Sequence, residues 1–218
     1  MRIFFLLTIL LFITAVKTAA QEKSEVCVAN RNAPPINAYY WPPDTNVRVY
    51  FARDMFTAEQ QLTLLTAMKS WSDSNTQTGA GISFSYAGEV ERVANCDGCL
   101  TVTRREVHKN DRKHYAFFNP LKQNGDGLLV SAWIDFDFAT TSPQALQGYM
   151  SHELGHGMGL WDCKTCKKKK TIMSGFPGIN NNNGLVAPSV CDLEVVRQVY
   201  DLQRRVDSNV VIEKNHHK

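Results

Sequence analysis

The stretch His152-Glu153-Leu154-Gly155-His156-Gly157-Met158-Gly159-Leu160-Trp161-Asp162 decides how this sequence reads. Its first five residues follow the pattern H-E-x-x-H. In a helix of 3.6 residues per turn, the two imidazoles lie one above the other on the same face. Two nitrogens so placed can reach one Zn²⁺ at about 2.0–2.1 Å each. Glu153 starts on the same turn, where a carboxylate can take a proton from a water on the metal without binding the metal itself. Three fixed letters arise by chance in many helices, so the residues that follow carry more weight. Gly157 and Gly159 are poor helix residues, and Gly159 can adopt the positive φ that ends a helix abruptly. The chain can then double back and present Asp162 as a third ligand.

The segments on either side read as a mixed α+β domain. Residues 21–46 hold Pro34, Pro35, Pro42 and Pro43 and form an extended N-terminal arm. Val47 to Phe51 alternates as a first strand. Thr57 and Gln60 form a capping box, with Leu64, Leu65, Met68 and Trp71 at helical spacing behind it. Ile82, Phe84 and Tyr86 alternate on a second strand, and Leu100, Val102 and Arg104 on a third. Residues 104–127 read as a long polar loop, in which His108 and His114 are surface histidines and Gly125-Asp126-Gly127 is a weak hint of Ca²⁺. Leu128 to Phe138 alternates again. Ser142-Pro143 supplies an N-cap and a first-turn proline for the helix that runs into His152. After a loop around Asn180 to Asn183, Ser189 to Asp192 opens a last helix with Val195, Val196, Val199 and Tyr200 on one face. Strand, helix, strands and a second helix predict an α-β sandwich, one mixed twisted sheet with helices on its inner face. The domain spans 47–200 and is followed by a charged C-terminal tail, 201–218.

Residues 1–20 read as a secretory signal peptide: Arg2, an apolar run from Ile3 to Ile13, and small residues Thr18-Ala19-Ala20 before a cut. That run is well short of the roughly 20 apolar residues a membrane span needs. The expectation is therefore a secreted protein, extracellular or periplasmic, with no membrane span. Losing Arg2 and Lys17 takes the formal net charge from +3 to +1, which speaks against nucleic acid as a partner. The six cysteines of an exported chain imply three disulfides. The favoured pairing is Cys96–Cys99, Cys163–Cys166 and Cys27–Cys191. Two C-x-x-C pairs leave a four-cysteine zinc site as the rival, and a Cys27 thiolate capping the metal as another.

Downstream of Asp162 comes Thr171-Ile172-Met173-Ser174-Gly175, in which Met173 taken alone is an ordinary buried methionine. Together, H-E-x-x-H-x-x-G-x-x-Asp and this methionine resemble the two-part signature of the metzincin zinc peptidases. In that clan the last ligand is usually His, and the methionine forms a turn beneath the metal. Pro188-Ser189, Asp192 and Tyr200 resemble the C-terminal helix of matrixins, whose early aspartate supports the Met-turn. An Asp third ligand is similar to that of snapalysin-type enzymes. Gly175 stands where astacins and serralysins often carry a Tyr.

The resemblance covers most of residues 45–200. It implies a zincin fold with a small C-terminal lobe that carries the Met-turn and terminal helix. It further implies one catalytic Zn²⁺ on His152, His156 and Asp162, with Gly159 as the structural turn and Met173 beneath the site. Glu153 would be the general base for a zinc-activated water in peptide-bond hydrolysis. A peptide or protein substrate would lie along the strand 128–138, with the loop 174–188 walling a pocket. A monomer is favoured. The gluzincin alternative would take Glu194 as third ligand. Lys167–Lys170 can steer acidic substrates but is more simply a solvated loop. The alternative function is a catalytically weak or inactive metzincin fold used as an extracellular binding module. Intact Glu153 speaks against that alternative, since a binding module has no use for a base.

Overall fold

A computed structural model describes residues 27, 33–106, 116–167, 170–174 and 185–216, with side chains as far as Arg205. The proposed signal peptide, His108, His114, Lys168, Lys169 and most of the loop 174–188 lie outside the described residues.

The core is an α+β unit built on a five-stranded mixed sheet of order β2-β1-β3-β5-β4. Strand β1 (Asn46–Ala52) buries Val47, Val49 and Phe51 while Asn46 and Arg48 point to solvent, so period-2 alternation settles which face is covered. Helix α1 (Ala58–Ser72) follows and begins in a complete capping box. The Gln60 amide donates to Thr57 Oγ1 at 3.3 Å, and the Thr57 amide donates to Gln60 Oε1 at 3.1 Å. A single turn, α2 (Asn75–Thr78), leads to β2 (Ser83–Val90), which is parallel to β1. β3 (Cys99–Arg105) runs parallel to β1 on its other side.

Strand β4 (Ala116–Gln123) falls where the sequence reads as loop, a correction to the span 104–127. The run Ala116-Phe117-Phe118 carries the strand signal, and Pro120 in its middle conceals it. Proline has no amide hydrogen for the ladder and is therefore confined to edge strands and bulges. Both conditions hold: β4 is the sheet edge, and its register to β5 shifts just after Pro120. β5 (Leu129–Asp137) is parallel to β3 and antiparallel to β4. The expected cleft strand 128–138 is thus an inner strand, both of whose edges are already paired. The outward-facing backbone belongs to β4. Phe138, expected on the buried face, lies past the end of β5 and is 49% exposed.

Asn124 closes the β4–β5 hairpin, its Oδ1 accepting from the amides of Asp126 and Leu128. The 125–127 turn is thereby satisfied by protein alone and offers no carboxylate cluster for calcium.

Helix α3 (Pro143–Gly157) starts as anticipated, with Ser142 Oγ accepting from the Ala145 amide at 3.2 Å. From Leu146 and Gly148 to Gly157 nearly every residue is buried. The buried Trp71 indole donates to the Ser151 carbonyl at 2.9 Å and ties α1 to α3. Helix α4 (Val190–His216) continues past Asp201 to His216, a correction to the tail expected from 201. Arg197 bonds to Glu194 and Asp201, spacings that place all three on one helical face across that boundary. Among the described residues no helix is long and apolar enough to cross a membrane.

The sulfurs lie in three pairs, Cys27–Cys191, Cys96–Cys99 and Cys163–Cys166, with no free cysteine among the described residues. Cys27 is therefore engaged with α4, which removes it as a metal-capping thiolate. The two C-x-x-C pairs are closed on themselves rather than pooled into a four-cysteine site.

The N-terminal arm is a packed part of the domain. Ile36 forms an antiparallel bridge with Leu160 just beyond α3. The amides of Asn37 and Trp41 donate to the carbonyls of Gly159 and Gly157, and the Trp161 amide donates to the Pro35 carbonyl. Gly159, at φ +89°, is the pivot. A Cβ there would meet Val199 of α4 at 3.0 Å and Tyr40 of the arm at 3.4 Å. Gly159→Ala is expected to cost about 1–3 kcal/mol, combining an unfavourable backbone with a tight contact. Urea unfolding measures it; a change below about 0.5 kcal/mol would mean that this turn relaxes freely.

Candidate metal centre

The site is built from the last turn of α3 and the turn that ends it. The helix closes in a Schellman motif: the Gly159 amide donates to the His156 carbonyl at 3.1 Å and the Leu160 amide to the Gly155 carbonyl at 3.0 Å. This sharp reversal brings Asp162 back over the face that carries His152 and His156. Asp162 Oδ1 lies 3.1 Å from His152 Nε2 and 3.7 Å from His156 Nε2. Ligand atoms of the three residues all fall within 4.8 Å of one another. Four ligands at about 2.0–2.1 Å around a tetrahedral ion stand about 3.3–3.4 Å apart, so this spacing suits a zinc-sized cation. No other cluster of three or more metal-ligating side chains occurs among the described residues.

Backbone carbonyls orient both imidazoles. Nδ1 of His152 is 2.9 Å from the Ile172 carbonyl, and Nδ1 of His156 is 2.9 Å from the Leu160 carbonyl. A carbonyl only accepts, so each Nδ1 carries a hydrogen and each Nε2 is turned toward the site. The Ile172 carbonyl is itself fixed from α4. Asp192, fully buried, accepts from the Ile172 amide at 2.9 Å, the Ser189 amide at 2.8 Å and the Thr171 hydroxyl. Met173 is fully buried in the same turn. A Cβ on Gly155 would come within 2.6 Å of its sulfur, so only glycine lets the turn lie this close against α3.

Glu153 projects beside the ligands and is 2% exposed, its Oε2 at 3.9 Å from His156 Nε2. Burial and the negative charge of Asp162 push its pKa up to about 7, opposed by His152 and by a hydrogen bond from the Phe118 backbone. Burial pulls His152 down, but the hydrogen bond to Asp162 and the charges of Glu153 and Asp162 outweigh it and lift the pKa to about 9. Burial and the neighbouring His152 lower His156 to about 4. Asp162 is raised by burial, yet the two histidines and Lys164 hold it below the ordinary aspartate value. The contact between His152 and Asp162 uses the same atoms that a bound cation would take.

A cleft of about 180 Å³ opens onto this group, lined by Tyr39, Ala116, Phe117, Phe118, Glu153, His156, Trp161 and Asp162. It lies between the arm and the outer edge of β4. Of the residues singled out in the sequence, His152, Glu153, His156, Asp162, Gly159 and Met173 come together here. Glu194 does not; it bonds to Arg197 at 2.7 Å on α4. The aromatic walls were missed. Trp161 stands in the motif itself, and an exposed Trp beside a ligand was a signal; Tyr39, in a proline-rich arm, gave none.

No protein-family model matches the chain, and a search of curated proteins finds no significant relative.

Asp192→Ala leaves two backbone amides and a hydroxyl buried without their acceptor, at about 1–3 kcal/mol per unsatisfied group. Chemical denaturation is expected to show a loss of at least about 2 kcal/mol, and Thr171→Val, which removes one donor, a smaller one.

Proposed function

We propose that this chain is an exported, zinc-dependent endopeptidase with a metzincin-like architecture. The observation that carries this reading is the convergence of His152 Nε2, His156 Nε2 and Asp162 Oδ1 beside a buried, otherwise costly carboxylate, Glu153. The donor set suits zinc: two neutral imidazoles and one carboxylate are a borderline set that an alkaline-earth ion would not favour. Three protein ligands are also the number typical of a catalytic rather than a structural zinc site. When bound there, zinc supplies a nucleophilic water at neutral pH and positive charge for a carbonyl oxygen.

The protein's own residues do the rest. Glu153, with its pKa raised toward 7, suits both taking a proton from the attacking water and returning it to the leaving amine. The Phe118 amide steadies that carboxylate from the edge strand. A substrate backbone would lie antiparallel to the outer edge of β4, whose Ala116–Phe118 stretch lines the cleft. Export rests on the signal-peptide reading of residues 1–20 and agrees with the three cysteine pairs.

Purified protein is expected to hold one zinc per chain and to melt at a lower temperature after chelation, with zinc restoring it. It should cut a complex peptide library, and Glu153→Ala should retain zinc while cutting at least roughly 100-fold more slowly. A wild-type protein that binds no zinc sinks the reading. Zinc binding with no cuts by either protein leaves the binding-module function instead.

A further inference from the structure

The walls of the cleft name a class of substrate. Tyr39 stacks on Phe118, with ring centroids 6.0 Å apart and planes 10° from parallel, forming one aromatic wall. Trp161 forms the other. Its ring centroid lies 5.9 Å from that of His156, and it is 46% exposed although Leu160 before it is fully buried. Phe117 and Ala116 complete the rim, and His156, Glu153 and Asp162 form the floor. Tyr39 lines the same cleft as Glu153 and Asp162, so its ring stands beside these groups rather than at a remote part of the arm. Among the described residues lining the cleft, the side chains above the floor are apolar or aromatic, and none is Lys or Arg.

We propose that Tyr39 and Trp161 are specificity-determining residues that grip an aromatic or large apolar side chain flanking the scissile bond. This rests on the peptidase reading for the word scissile, though not for the recognition itself. Offset and edge-to-face contacts with Tyr39, Phe118 and Trp161 reward a flat ring, and burial rewards apolar area. The arm is then a constitutive wall of the site. It is held by its backbone bonds to Pro35, Asn37 and Trp41, so its removal would abolish selectivity rather than relieve inhibition.

Two measurements test this separately from catalysis. Dye-labelled peptides differing only in one central Phe, Ala or Glu are titrated into Glu153→Ala protein loaded with zinc and followed by fluorescence anisotropy. The Phe peptide is expected to bind roughly tenfold or more tightly than either the Ala or the Glu peptide, neither of which offers a ring to the aromatic walls. In the double variants Glu153→Ala/Trp161→Ser and Glu153→Ala/Tyr39→Ser that preference should fall to about twofold or less, with circular dichroism confirming the fold. With wild-type protein, cuts in a library should cluster beside Phe, Tyr, Trp, Leu or Met. Equal affinity for the three peptides, or a preference that survives both serine substitutions, overturns the inference even if the protein cuts. Selective binding without any cutting upholds it while the peptidase reading fails.

Discussion

Three ionisable side chains on one buried helical turn are the constraint around which the rest of this domain is arranged. His152 and Glu153 are almost wholly buried and His156 nearly so. A carboxylate taken out of water without a partner is costly enough that it normally protonates instead. Here the cost is met from all sides: the Phe118 amide from β4, the Ile172 and Leu160 carbonyls for the histidines, and Asp162 across the helix end. Asp162 also pairs with His152 at 3.1 Å, on the atoms that a cation would take in the proposed reading.

Close backbone approach makes this arrangement possible, and it depends on where side chains are missing. Gly155 admits the Met173 sulfur, Gly157 faces the Trp41 indole nitrogen at 2.8 Å from a would-be Cβ, and Gly159 turns the chain under Val199. Each glycine serves a different neighbour: the turn 171–174, the arm and α4. The end of α3 is therefore a junction of four chain segments, and Asp192 locks two of them by bonding α4 to the turn that orients His152. A substitution at this junction acts on the site through geometry, without touching a ligand.

Much of this was legible in the sequence, for physical reasons. The spacing of His152 and His156 is a statement about helical period, and Gly159 a statement about φ, so both carry from sequence to structure without knowledge of the fold. The Thr57–Gln60 and Ser142–Pro143 helix starts are equally local. β4 was hidden because its edge position, the very thing that permits Pro120, is a property of the whole sheet. The cleft was assigned to β5 for the same reason: alternation in Leu128–Phe138 marks a well-covered strand, and only topology says which strand has a free edge. The continuation of α4 beyond Asp201 runs through Gln203, Arg204, Arg205 and Asp207, a polar run that reads from sequence as a solvated tail. Tyr39 could not be found because its role depends on an arm folding back on Leu160, a contact between distant parts of the chain.

Phe118 ties the two halves of the argument together. Its backbone amide reaches Glu153, while its ring carries Tyr39 and stands 6.4 Å from the ring of His156. In the proposed reading, peptide recognition along β4, the poise of the base and the aromatic wall thus meet in one residue of an edge strand. The chemical groups are held by rigid elements, α3 and β4. The selective walls come instead from an arm and from the residue after the helix turn. Under the proposed function this separation has a consequence: replacing Tyr39 or Trp161 can retune which side chain is accepted without moving an imidazole, because the backbone that aims the ligands is fixed by Gly155, Gly159 and Asp192. Changing Phe118 has no such freedom, since its place in the ladder opposite Ile134 sets the position of the amide that Glu153 uses.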